Sequence, residues 1–125
     1  MILIAESRVR VIKSGVHLGN AGLMAQARFE QKRYRDVINF LTTVCEGAVA
    51  PSYRRPCQYY SASAYGYLGE IEAGRMVLKL SNFTGGDKYQ FLNDVEVVVA
   101  IRFPFKNESS REHLIEGIRM ALQID

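Results

Sequence analysis

The sequence predicts an all-α protein. Apolar residues recur at helical spacing twice: Tyr34, Val37, Ile38, Leu41, Val44 and Cys45 in the first half, and Leu114, Ile115, Ile118, Ala121 and Leu122 near the end. Spacings of three and four keep such residues on one side of a helix, whereas a half-buried strand alternates. Glycine and proline at Gly47, Pro51, Gly69, Gly85-Gly86 and Pro104 divide the chain into segments of helix length.

Residues 1–13 fit two periods. Val9 and Val11 alternate with Arg8 and Arg10 as in a strand, while Val9, Ile12 and Val16 fit a helical stripe, and we read a helix. Leu18 to Gln31 is rich in Ala and long polar residues and reads as a helix, with Ala21, Ala25 and Ala27 small enough for a neighbour to approach. The Tyr34–Cys45 stripe makes the next helix, with Asp36 near its positive end and Gly47 where it stops. Ser52 is the expected cap of a third helix, with Pro56 in its first turn and Tyr60, Ala64, Tyr67 and Leu68 on one face. Gly69-Glu70 forms a corner before Ile71, Gly74, Val77 and Leu78, and Thr84-Gly85-Gly86-Asp87 is a loop.

In residues 88–103 the residues themselves leave two readings open. Val95, Val97, Val99, Ile101 and Phe103 alternate as a strand would, and the valines favour strand by propensity. Tyr89, Leu92, Val95 and Val99 fit a helix. Ser109-Ser110-Arg111-Glu112 has the form of a capping box ahead of the last stripe.

The 125 residues are 48% apolar and 23% charged, a composition that folds as one ordinary domain rather than a disordered chain or a disulfide framework. Charge is uneven: +5 over residues 1–57 and −2 over 58–125. No dense Lys/Arg stripe marks a nucleic-acid binder, so nucleic acid is not an expected partner. No stretch approaches the roughly 20 apolar residues of a membrane helix, Met1–Ala5 stops at Glu6, and no leader is recognised, so a cytoplasmic protein without membrane contact is expected. Cys45 and Cys57 show no metal or redox spacing and read as reduced thiols, Cys45 as a small core residue.

Catalysis needs a nucleophile, a base or a metal held in place. His17 and His113 are the only histidines, and His113, between Glu112 and the Glu116 turn, reads as a surface residue. Neither a nucleophile elbow nor a phosphate loop occurs, and Asp87, Asp94 and Glu96 are acids without a defined ligand geometry. No catalytic residues, metal or cofactor are therefore expected.

Arg33-Tyr34-Arg35-Asp36-Val37 followed by Leu41, and Glu70-Ile71-Glu72-Ala73-Gly74 followed by Leu78, are alike and 37 positions apart. With Ala25, Tyr34, Val37 and Leu41 in one unit, and Ala62, Tyr65, Leu68-Gly69, Ile71, Gly74 and Leu78 in the next, the chain resembles the tetratricopeptide repeat family. Arg28 departs from it, standing where an aromatic is usual. Leu80–Thr84, Arg102–Asn107 and Leu114–Arg119 are similar to the C-terminal repeat region of bacterial adenylate-cyclase-type and transcriptional-activator-type regulators.

This resemblance implies a short TPR-like α-helical solenoid in a single domain, 1–125. It has degenerate repeats at about 18–47 and 52–82 and a cap region at 87–123, with residues 88–102 helical and a C-terminal capping helix. It also implies a bacterial, non-catalytic interaction module whose groove, lined by Gln26, Phe29, Glu30, Tyr59, Ser63 and Tyr67, takes a protein or peptide. Gly22, Gln26, Tyr59 and Ser63 do not reproduce the family's carboxylate-binding set. Two units are short of the usual three or more, so a homodimer through residues 1–24 or 88–103 is expected. Arg33, Arg35, Arg54 and Arg55 would form a basic edge. The alternative is a small-molecule-sensing domain with Tyr53, Tyr59, Tyr60, Tyr65 and Tyr67 around a pocket.

Overall fold

Short-range periodicity and turn chemistry explain most of the helices. The computed structural model describes residues 24–46, 51–80, 83, 86–102 and 108–124, with the backbone alone at 43–46, 51–56 and 102. Among them are six helical segments and no strand: α1 (24–30), α2 (Tyr34–Glu46), α3 (Pro51–Leu68), α4 (Ile71–Lys79), α5 (Lys88–Arg102) and α6 (Glu108–Leu122). The readings made for residues 1–23, 47–50 and 103–107, and for the side chains of Val44, Cys45, Tyr53, Arg54 and Arg55, lie outside the described residues.

Three helix ends use the same device. After α1, α3 and α6 one residue enters the left-handed region: Lys32 (φ 62), Gly69 (φ 76) and Gln123 (φ 58). Each lets the next residue's N–H reach back five positions, as Arg33 does to Arg28 O (3.0 Å), Glu70 to Tyr65 O (2.9 Å) and Ile124 to Arg119 O (3.0 Å). This closes the carbonyls a helix end leaves unpaired. Gly69 adopts the conformation without a Cβ penalty, whereas Lys32 and Gln123 do not have that freedom.

Two starts differ from expectation. α3 opens at Pro51, not after Ser52, which moves Pro56 into the second turn. Proline suits a first helical position because its fixed φ is helical and its missing N–H is not needed there. α6 opens at Glu108, so Ser109 lies inside it rather than capping it. The contested segment is helix α5. Asp87 supplies the start: its Oδ1 accepts the N–H groups of Tyr89 (3.0 Å) and Gln90 (3.2 Å). Leu92, Val95 and Val99 then bury one face, and this packing outweighs valine's strand propensity.

α3 is the central helix, packed on α2, α4 and α6, and α6 in turn contacts α4 and α5. The core joins Phe29, Val37, Leu41, Leu78, Val95, Val99, Leu114, Ile118 and Leu122, each at most 2% exposed. The last helix contacts α3, α4 and α5, and among the described residues α5 buries Leu92, Val95 and Val99. Cys57 also differs from expectation: it is buried and disulfide-bonded, and Cys45 is the only other cysteine in the chain. No helix among the described residues is long and apolar enough to cross a membrane.

Candidate functional site

α6 approaches α3 because both are small at the crossing. A Cβ on Gly66 would sit 2.0 Å from the Gly117 carbonyl oxygen, and one on Gly117 would sit 2.0 Å from Ser63 Oγ. The Ser63 hydroxyl, fully buried, donates to Leu114 O at 2.8 Å. Gly74 of α4 closes on Ala121 in the same way, with 3.1 Å available for a Cβ. Arg75 donates to Ala121 O (3.2 Å) and Leu122 O (3.0 Å), placing a cation on the negative end of α6.

This placement carries His113 into a junction of four helices. Its ring lies 4.2 Å from that of Phe29 (α1) and 5.2 Å from that of Tyr67 (α3). Tyr34 and Tyr67 stack at 4.6 Å beside it. Tyr34 Oη is 2.8 Å from Nε2, and Glu30 Oε2 is 3.7 Å from Nδ1. With the carboxylate facing Nδ1, the consistent neutral tautomer carries its proton there and accepts the Tyr34 hydroxyl at Nε2. Tyr67 donates its own hydroxyl to His113 O at 2.7 Å.

The electrostatics of the junction favour uncharged rings. Burial lowers the His113 pKa from its ordinary value; Glu30 opposes this and Lys32 adds to it. Burial, helped by Glu30, raises the Tyr34 phenol, and Tyr67 is pushed up to about 12, mainly by burial. A phenol held protonated is a hydrogen-bond donor rather than a nucleophile. Neutral imidazole and phenols here tie α1, α2 and α3 to α6.

His113 is therefore not the surface residue expected from its acidic neighbours, its side chain being 15% exposed. The signal was the stripe His113, Gly117, Ala121, spaced by four, whose two small members mark the face turned to α3. The six groove residues separate. Phe29, Tyr59 and Ser63 are buried in the core, and Tyr67 is half-buried under α6. Gln26 is half-buried and Glu30 is exposed. The groove between α1 and α3 that these residues were to line is filled at Ser63, Tyr67 and Phe29 by the chain's own α6. Of the basic edge, Arg33 pairs with Asp36 and Arg35 with Glu70.

Among the described residues, open surface is found along α6, in a lining that His113 shares. A cleft of about 740 Å³ runs between α5 and α6. None of the described tyrosines considered for ligand sensing lines it, Tyr59 and Tyr60 being buried in the core. Beside it α5 exposes Val97 (52%) and Ile101 (75%). Among the described residues no three His, Cys, Asp or Glu side chains are grouped to hold a metal; Asp87 caps α5 and Asp94 accepts from Gln90. Comparison with protein-family models, curated proteins and solved structures finds no match for this chain.

Proposed function

We propose that the chain is a non-catalytic interaction module, a TPR-like stack of helical hairpins that docks a protein or peptide partner through the outer side of α5. One observation carries the reading: Val97 and Ile101 are 52% and 75% exposed on a helix whose other face already holds Leu92, Val95 and Val99 in the core. A terminal helix of a repeat stack ordinarily turns a polar face outward. An apolar face there is the usual mark of an interaction site. Two consecutive helix pairs in contact, α3/α4 and α5/α6, support the repeat reading. The surface moves from the groove to α5 because α6 occupies the groove. Self-association through Val97 and Ile101, outside the cleft between α5 and α6, is the homodimeric form of the proposal.

The test uses the full chain and the variant Val97→Lys/Ile101→Glu. Wild-type protein is expected to associate, with itself in sedimentation at micromolar concentration or with partners recovered from bacterial cytosol. The variant is expected to lose this with its thermal midpoint unchanged. Identical association by the two proteins would reject the α5 face as the binding surface.

A further inference from the structure

The cleft beside that face has a definite charge pattern. Its α5 wall carries Glu96 and Ala100, and its α6 wall carries Glu112 and Ile115. Residues four apart stack on one side of a helix, so Glu96–Ala100 and Glu108–Glu112–Glu116 form two rows facing one channel. The described cations of the lining are already engaged, Arg111 by Glu108 and Arg119 by Glu116 at 3.6 Å. Among the described residues, neither Glu96 nor Glu112 has an ion-pair partner. Ala100 and Ile115 make the apolar part of the lining. Val97 and Ile101 each follow a lining residue by one position, about 100° further round the helix, and form the outer lip.

The geometry points to one class of occupant: a basic amphipathic helix of a partner protein, its apolar stripe on Ala100 and the Val97–Ile101 lip and its Lys or Arg side chains on Glu96 and Glu112. This assignment rests on the interaction-module reading above and names the partner's chemistry. Helix-in-groove recognition needs an apolar strip for affinity and flanking charge for register, and both are present. The uncommitted carboxylates repel phosphate, which disfavours nucleic acid and anionic lipid. They also disfavour a second copy docking the same cleft about a two-fold axis, because that sets Glu96 and Glu112 of one copy against the same residues of the other.

The experiment titrates the full chain with two fluorescently labelled synthetic amphipathic helices, one of Leu and Lys, the other of Leu and Glu. The Leu/Lys helix is expected to bind at least about tenfold more tightly, with affinity falling as salt is raised. Glu96→Lys/Glu112→Lys, on exposed positions, is expected to lose about tenfold in affinity for it while keeping the wild-type thermal midpoint. Equal binding of the two helices, or an unchanged affinity in the charge-reversed variant, overturns the assignment. So does a carbodiimide cross-link from Lys13 to Glu96 or Glu112 of the same chain, which would make the basic, apolar residues 1–13 the occupant. If Val97→Lys/Ile101→Glu still abolishes partner association in that case, only the basic-helix assignment falls and the docking face stands.

Discussion

Gly66 and Gly117 meet backbone to backbone: the position of a Cβ on Gly66 lies 2.0 Å from the Gly117 carbonyl oxygen and 3.1 Å from Ala121 N. Neither neighbour is a flexible side-chain end, so the contact cannot relax locally. It sets the distance between α3 and α6, and through that distance the burial of Leu114, Ile118 and Leu122.

Gly66→Ala and Gly117→Ala should each destabilise the protein. Alanine favours an isolated helix by about 1 kcal/mol over glycine, but overpacking a close-packed core costs about 1–3 kcal/mol or more. At Gly66 the clash is with the Gly117 carbonyl and at Gly117 with Ser63 Oγ and the Ser63 carbonyl, so the net loss is expected at the upper end. Chemical denaturation of the two variants measures it. A midpoint at or above wild type would show that the helices do not cross this closely.

Stability should fall on mild acidification. The folded-state pKa of His113 is lowered, chiefly by burial. The unfolded chain therefore binds a proton first, below about 6.5, and the contribution of the neutral ring is lost as pH drops towards the folded value. Thermal melts between neutral pH and the range where carboxylates begin to titrate should show this slope, and His113→Asn should flatten it at a lower overall stability. The alkaline limb has the opposite sense. Tyr67, at about 12, keeps its proton longer than an unfolded tyrosine, so stability should drop as pH rises past about 10.

Arg75→Met should cost about 1–3 kcal/mol, the range of charge-assisted hydrogen bonds, because Ala121 O and Leu122 O lose their side-chain donor at the α6 terminus. Hydrogen exchange should speed up first in the last turn of α6. Uniform acceleration across α3 would assign Arg75 a broader role.

Gln123→Gly should stabilise the fold by about 0.5–1 kcal/mol, since Gln123 holds φ 58 without glycine's freedom. Thermal melting checks the sign.

Reduction should lower the melting temperature. Cys57 is disulfide-bonded. A disulfide stabilises by about 2–4 kcal/mol. Thiol titration of unreduced, denatured protein should find no free cysteine. Two free thiols per chain would return Cys45 and Cys57 to the reduced state expected from their spacing.

The helices were largely legible as helices. α2, α4 and α6 follow from stripes that repeat every three to four residues, and Gly69-Glu70 ends α3 as its turn chemistry requires. α5 was not decidable from its own residues, because apolar side chains surround it and both periods fit; the cap from Asp87 was the local signal that favoured helix. The site was less legible. Phe29, Ser63 and Tyr67 look like groove residues only while nothing lies on them, and His113 looks exposed beside its glutamates.

By itself, the sequence determined that α2, α4 and α6 are helices, which face of each is apolar, and where α3 ends. These are short-range properties, set by side chains and backbone within about one turn of each other. The tertiary structure alone decided that α6 lies on α3 and α4 while α5 is left on the outside, with Val97 and Ile101 uncovered. That choice depends on a steric fit between glycines and a serine from helices distant in the chain, Ser63 bonding Leu114 across 51 positions. Periodicity carries no record of which apolar faces will meet; close packing of the particular small residues selects the pair.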